Sequence, residues 1–449
     1  MRLIARLALL LGFSVCLVLG QDADLTARLD HVMAVYQTSR NFMGSALVAK
    51  NGKILLEKGY GMANVELDVP NTADTKFRLG SITKQFTATA IMQLQEQGKL
   101  SVTDLACNYL PNCPDAWKTI TIHHLLTHTS GIPSYTSAEF MQKPAMVRSP
   151  LTPVEIVMLS KDKPLEFEPG SKWNYDNTGY VFLGAIIEKA SGEKYADYLR
   201  KHVFGPLDMQ NSGYDDTKTV LKNRASGYQP SPGGMVNCDF IDMSLPHAAG
   251  SLYSTVRDLY RWDRALYTDK VLSKASREKM FTPVQRDYGY GLMLAPMVNH
   301  KQIGHGGGIF GFTTYIARFP DDDAFVVVLS NFTGGNMQSV ARDLAGTLFG
   351  EKVELPGEKK TVAVDSKILD RYAGVYQAGP MTLTVTNESG HLMIEPKGQQ
   401  KVEAFASSET EFFLKPVDAT ITFVPGDNGN AKEIQVKQGG STMTGKRLN

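Results

Sequence analysis

The sequence predicts an α/β protein: an antiparallel sheet flanked by helices, with an all-α subdomain set into it, followed by a small all-β barrel. Three observations carry this. β-rich runs stand at both ends of a long helical stretch, near residues 45–60 and 288–330. A charged segment containing Pro356-Gly357 then interrupts the chain. Beyond it, short β-rich runs recur every 8 to 14 residues with turn signals between them, the spacing of an all-β unit.

The chain has 449 residues, more than one ordinary core holds. "MRLIARLALLLGFSVCLVLGQ" has two arginines, then an apolar run from Leu7 to Leu19, and small residues at Val18 and Gly20. This is the pattern of a secretory signal cut before Gln21, and the run is too short for a membrane span. The expectation is a periplasmic or secreted protein with no span in the mature chain. Residues 24–40 carry Leu25, Leu29, Val32, Val35 and Tyr36 at helical spacing. In "GSALVAKNGKILLEKGYG", Asn51-Gly52 between two β-rich runs predicts a hairpin. From about 82 to 270 the pattern is mostly helical, beginning with "TKQFTATAIMQLQEQG", whose Phe86, Ala90, Ile91 and Leu94 share a face. Strand signals return with "YGYGLMLAP", "FTTYIARFP" and "AFVVVLSN", and a helix follows over 336–349. The expected divisions are a signal over 1–20, a catalytic domain over 21–352, a linker over 353–364 and a barrel over 365–449.

Composition narrows the function. There are 47 basic and 46 acidic residues, a net charge of +1, which offers no positive field for nucleic acid. In an oxidising compartment Cys107 and Cys113, in "CNYLPNC", are candidates for a disulfide; buried free thiols are the alternative. No CxxC or matched histidine pair points to zinc, so neither metal nor cofactor is expected. His124 and His128 stand four apart, but no glutamate follows the first.

The chemistry centres on "GHGGGIFGF", residues 304–312. A lipase-type oxyanion loop would require a G-x-S-x-G elbow, and the chain contains none. Gly306, Gly308 and Gly311 satisfy GxGxxG, but strand-like text follows instead of a helix. What remains is a strand edge bare enough for a substrate to lie against.

"GSITK" supplies a nucleophile. Ser81 and Lys84 lie three apart at a helix start and project from one face. S-x-x-K also occurs at Ser160, Ser191 and Ser276, but only Ser81 has a glycine before it and an apolar helix after it. Taken alone, Ser81 reads better as a helix N-cap than as a nucleophile. A serine hydroxyl needs a neighbouring base, and a lysine serves only once its pKa falls by about three units from about 10.4. In "WNYDNTGY" stands Tyr175-Asp176-Asn177, the only Y-x-N among 18 tyrosines. The phenol can relay a proton and the carboxamide can hold a substrate amide; alone, the stretch would read as a turn with a packed tyrosine.

The order Ser-x-x-Lys, Tyr-x-Asn, His-Gly-Gly resembles the serine β-lactamase and penicillin-binding protein superfamily, in its class C β-lactamase-like branch of D-peptidases and esterases. "ITIHHLLTHTSGIPSY", "FEPGSKWNYDNTGY" and "AAGSLYSTVRDLYRW" resemble that branch too, over residues 25–350. The tail resembles the lipocalin-like barrel often appended to such hydrolases. The resemblance implies Ser81 as the acylated nucleophile, with Lys84 and Tyr175 sharing proton transfer. It implies Asn177, His305 and Gly307 as substrate-binding residues, and the backbone amides of Ser81 and Gly308 as the oxyanion hole. β-Lactamases of this branch have Lys-Thr-Gly where this chain has His305-Gly306-Gly307, and histidine is mostly neutral at pH 7. The expected function is therefore an exported serine hydrolase acting on D-residue peptides or small esters. The alternatives are a β-lactamase, or a slow penicillin-binding sensor. Small peptide, ester or β-lactam substrates are the expected partners, with self-association open.

Overall fold

A computed structural model of the chain describes residues 22–39, 41–137, 144–356, 358, 360–399, 401–414, 419–426, 429–438 and 441–448. The signal expected over 1–20 lies outside these. Two compact units emerge, one mainly from residues 42–351 and one mainly from 352–449.

The first unit is built on a five-stranded antiparallel sheet. Its strands are β1 (Gly44–Lys50), β2 (Lys53–Tyr60), β3 (Ile303–Ile309), β4 (Phe312–Phe319) and β5 (Ala324–Ser330), in the order β3-β4-β5-β1-β2. Asn51 and Gly52 turn the first hairpin with φ of 53° and 73°, as an Asn-Gly turn requires. Every residue of β5 is buried, matching the unbroken apolar run "AFVVVLS" of a strand covered on both faces. A helix over 22–39, α1, is tied to β2 where the Asp30 carboxylate accepts from Lys58 Nζ and Tyr60 OH, at 2.9 and 2.7 Å.

The helical part centres on α2 (Thr83–Glu96), α3 (Asn177–Ser191) and a short turn of helix, α4 (His247–Gly250), which pack together. Every residue of α2 from Thr83 to Leu94 is buried, a wider face than the four apolar positions predicted. Its polar side chains are accommodated by specific bonds. Thr87 Oγ1 donates to Ala248 O at 2.7 Å, and Gln93 Nε2 donates to the carbonyls of His202 and Val271, both at 3.0 Å. Two further helices, α5 (Val256–Ala265) and α6 (Met337–Phe349), pack against the sheet.

The stretch read as mostly helical also contains strands. Leu252–Ser254 pairs with both Phe77–Arg78 and Gly213–Tyr214, and Tyr228–Ser231 pairs with Gly234–Asn237. Strands of two to four residues carry too little periodicity to read. Conversely, the segment expected as a strand from 288 forms only isolated bridges, such as Tyr288 with Met293. The glycine-rich segment itself becomes strand β3, at the sheet edge.

The second unit is a closed barrel of eight antiparallel strands, from β6 (Gly374–Ala378) to β13 (Ser441–Arg447), where the sequence shows six β-rich runs: "YAGVYQ", "MTLTVTN", "HLMIEP", "EFFLKP", "ATITFVP" and "EIQVKQ". The two unforeseen strands are Val402–Ala406 and Ser441–Arg447, and the last closes on the first through Tyr376 opposite Arg447. Alternate residues such as Leu383, Val385, Phe412, Ile421, Phe423 and Ile434 fill its core.

Candidate active site

Ser81 sits in a 3-10 turn, Gly80–Ile82, that feeds into α2. Its hydroxyl caps neither helix, since no side-chain cap bond exists at either start. It faces a cavity of about 150 Å³ and points at Lys84. Gly80 makes this placement feasible. It adopts φ of 55°, and a Cβ there would come within 2.8 Å of the Gly308 nitrogen. The turn and β3 therefore meet backbone to backbone.

Lys84 is wholly buried, at the second position of α2 and one turn on from Ser81. Its Nζ lies 2.8 Å from Asn177 Oδ1, 2.9 Å from the Ala249 carbonyl and 3.2 Å from Ser81 Oγ. Burial lowers its pKa to about 7, against the opposing pull of the Asp176 carboxylate. A neutral amine has two hydrogens and one lone pair. The two carbonyl oxygens, which only accept, take both hydrogens, and the lone pair is left for the Ser81 hydroxyl proton. Above a pH of about 7 the amine is neutral, and its lone pair then faces the nucleophile.

Asp176 and Asn177 reach the site because α3 begins there. Asp176 is its N-cap, accepting from Gly179 N at 3.0 Å, and it also accepts from Ser130 Oγ at 3.3 Å. Burial raises its carboxyl to about 7. Asn177 takes the first helical position. Its Nδ2 donates to Thr136 Oγ1 at 3.1 Å while its Oδ1 receives Lys84.

Tyr175 lies just before the cap. Lys84 Nζ sits 4.8 Å from its ring centroid. Its hydroxyl is buried with no direct hydrogen bond to another described residue. Desolvation raises its pKa, opposed by the nearby Ser81 hydroxyl. The ring is held from behind by His128, 4.4 Å away between centroids. His128 Nδ1 accepts the Asp176 backbone N–H at 3.1 Å, and its ring also contacts Tyr180 and Tyr288. His124 instead turns back onto its own helix start, its Nδ1 accepting from Thr121 N at 3.2 Å. Among the described residues no group of three or more His, Cys, Asp or Glu is placed to hold a metal.

The cavity is lined by Ser81, Tyr135, Thr136, Asn177, Gly308 and an apolar wall running from Ile241 through Ala249 to Phe310. None of its lining side chains is charged. Lys84 and Tyr175 stand behind this surface. His305 and Gly307 do not line it either. His305 is 5% exposed; its Nδ1 donates to Gly306 O and its Nε2 accepts from Tyr288 OH at 3.0 Å. Burial and the Lys84 charge hold its pKa near 4, so the ring is neutral. Gly307 faces the Leu79 carbonyl, where a Cβ would come within 2.0 Å. Cys107 and Cys113 are joined as a disulfide with Cα atoms 5.4 Å apart, outside the cavity lining.

Sequence reasoning assigned no role to Asp176, His128, Tyr288 or the Ala249 carbonyl. The helix cap at Asp176 was the one available signal, since Asp directly before an apolar helix is an N-cap pattern.

A sheet-edge strand beside a Ser-Lys-Tyr cluster with its lysine buried, and a helical subdomain supplying the tyrosine and asparagine, define a serine hydrolase of the β-lactamase and penicillin-binding protein type. Residues 29–350 match the Beta-lactamase family model, and the chain belongs to that family. Residues 358–448 match a domain of unknown function, DUF3471. The chain is 32% identical to penicillin-binding protein 4* of Bacillus subtilis over 439 residues, covering 92% of this chain and 97% of that one. It is also similar to the octameric penicillin-binding protein homologue from Pyrococcus abyssi, at 29% identity and a TM-score of 0.68, covering 93% of this chain and 99% of that one. A third relative is the D-amino acid amidase from Ochrobactrum anthropi SV3, solved with D-phenylalanine. There the identity is 25% and the TM-score 0.65, covering 73% of this chain and 99% of the amidase. No helix among the described residues is long and apolar enough to cross a membrane.

Proposed function

We propose that the chain is an exported hydrolase that works through an acyl-Ser81 intermediate, cleaving amides of D-residues or small esters. The observation that carries this is the buried Lys84 amine 3.2 Å from Ser81 Oγ, with the Asn177 and Ala249 carbonyl oxygens placed to take its hydrogens. As Ser81 Oγ attacks the substrate carbonyl carbon, its proton passes to Lys84. The resulting oxyanion is held by the backbone amides of Ser81 and Gly308. Collapse breaks the bond to the leaving amine or alcohol, which takes a proton from the Lys84–Tyr175 pair. Water then enters and loses a proton to the same pair as its oxygen bonds the acyl carbon; the ester bond to Oγ breaks, Oγ takes that proton back and the acid leaves. Burial brings the Lys84 amine down to about 7 and pushes the Tyr175 phenol up, so Lys84 takes the proton first and Tyr175 shares in passing it on.

The uncharged cavity and neutral His305 favour uncharged acyl groups over substrates gripped by a free carboxylate, which places β-lactams and carboxypeptidase substrates second. The D-amino acid amidase relative supports D-residue amides. The arginine-led apolar segment over 1–20 supports export, and the octameric relative makes self-association worth measuring. We assign residues 21–352 to catalysis, 353–364 to a linker and 365–449 to a lipocalin-like barrel.

The test is turnover of D- and L-phenylalanine p-nitroanilide by the wild type and Ser81→Ala. Faster release from the D isomer, absent in the variant, is expected. Equal rates in both proteins would overturn the reading.

A further inference from the structure

The short turn α4 serves the site from two sides. Its Ala249 and Gly250 line the catalytic cavity. Its carbonyls grip α2: Ala249 O lies 2.9 Å from Lys84 Nζ, and Ala248 O accepts from Thr87 Oγ1 at 2.7 Å. Lys84 and Thr87 stand three apart on one face of α2. Two successive carbonyls of α4 are therefore aimed together at that face.

The aim originates at the first residue of the turn. His247 has φ of 35°, in the left-handed region that residues with a side chain rarely adopt. It does not line the cavity. Its ring rests against Tyr195 and Tyr214, with centroids 5.0 and 5.8 Å away. It also fills a notch over Gly184 of α3, where a Cβ would come within 2.6 Å of its Nδ1. Tyr195 is itself tied to α2, its hydroxyl 2.7 Å from Thr87 Oγ1. The residue is buried, and its Nδ1 has no hydrogen-bond partner among the described residues. Burial, ahead of the Lys194 charge, lowers its pKa to about 3, so the ring is neutral at pH 7 and no proton donor. A left-handed backbone and an unpaired buried nitrogen both count against stability, and such features persist where the surroundings over-determine them.

We propose that His247 is a positioning residue for the Lys84 base: its left-handed backbone opens α4 in the direction that brings the Ala249 carbonyl onto the amine. The proposal rests on Ser81 acylation with Lys84 as base, and adds a residue that touches neither the serine nor the cavity. Without that carbonyl the amine loses an acceptor that favours its protonated form, so its pKa falls. The neutral amine also loses one of the two contacts that turn its lone pair to Ser81, so acylation slows even where the amine is fully deprotonated. The titratable groups facing Lys84 are Asp176, Tyr175, Tyr180, His128 and His305, and none belongs to α4.

The experiment measures acylation of Ser81 by p-nitrophenyl acetate from pH 5 to 10 in the wild type and in His247→Gly, His247→Asn, His247→Ala and His247→Val. Rates are expressed per active site, counted by exhaustive fluorophosphonate labelling of Ser81 and intact mass, so an unfolded fraction drops out. All four variants vacate the ring site. They differ in that Gly and Asn accept a left-handed backbone while Ala and Val resist it. The expected result is a split along that line. His247→Gly and His247→Asn should keep the wild-type limb and stay within about threefold of its plateau, while His247→Ala and His247→Val should fall about tenfold or more, with the limb displaced to lower pH. Four variants that behave alike, whether near wild type or equally impaired, would overturn the proposal, because the position would then matter for packing alone. So would an unmoved limb in His247→Ala and His247→Val, or a failure of both to fold where the other two do, which would make His247 a folding residue. A wild type that takes no acetyl group on Ser81 would instead sink the proposed function, before any variant is compared.

Discussion

Lys84 Nζ lies closer to Asn177 Oδ1, at 2.8 Å, than to the serine it serves, at 3.2 Å. The asparagine thereby holds one of the amine's hydrogens and turns its lone pair toward Ser81. Activity should rise with pH through a limb near 7, the pKa of Lys84, as the amine loses its proton. Asn177→Asp puts a carboxylate beside the Lys84 amine and favours its protonated form, so the limb should move to higher pH. Asp176→Asn removes the charge that favours the protonated amine while keeping a capping side chain, so the limb should move lower. Acylation rates across pH 5 to 10 give all three limbs; an unmoved limb in both variants would remove Lys84 from the proton path.

The same burial makes Lys84 a stability liability with a definite pH dependence. Its folded pKa is depressed to about 7 from 10.5. Below pH 7 both folded and unfolded chains carry the proton and the cost is complete; it fades as pH rises toward 10.5. Lys84→Met should therefore be inactive yet more stable than the wild type at pH 6, by about 2 kcal/mol. That figure is the relieved desolvation less about 1 to 3 kcal/mol for the carbonyls of Asn177 and Ala249 left without a donor. At pH 10 the sign should reverse. Urea titrations at the two pH values measure it.

Neighbouring glycines of β3 should respond in opposite ways. A Cβ at Gly307 meets Leu79 O at 2.0 Å and Thr314 Oγ1 at 2.2 Å, so Gly307→Ala must push the strand off the Ser81 turn. The Gly308 amide would shift with it, and kcat should fall by about 10² to 10³, the usual loss of an oxyanion donor. At Gly308 a Cβ meets nothing within 4 Å. Gly308→Ala should therefore fold normally and affect KM for bulky acyl groups more than kcat for small ones.

Much of this site was legible because its chemistry is local in the chain. Ser81 and Lys84 meet through one helical turn, and Tyr175 and Asn177 flank one helix cap. The bare glycine run could be read as a strand edge from the absence of side chains. His305 shows where such reading stops. A histidine beside glycines suggests a ligand to substrate, but its direction depends on Tyr288, 17 residues away in sequence and bonded to it at 3.0 Å. His128 is similar: its grip on Tyr175 spans two distant loops. In the barrel, "VEAFA" is short and "STMTGKR" is polar, and both become strands because closure gives them partners on each side.

The disulfide stands apart from the chemistry. Closing the six-residue separation between Cys107 and Cys113 should contribute about 2 kcal/mol by the chain-entropy relation. A Cys107→Ser, Cys113→Ser double variant should melt several degrees lower, with kcat at 25 °C unchanged. Calorimetry alongside ester turnover separates the two effects.

The central claim is that Ser81 becomes acylated. Intact mass after brief exposure to p-nitrophenyl acetate tests it most directly, on wild type and Ser81→Ala in parallel. The account predicts a single added acetyl group on the wild type, localised to the peptide containing Ser81, and none on the variant. An adduct of equal yield on both proteins, or ester turnover that survives in Ser81→Ala, would contradict it.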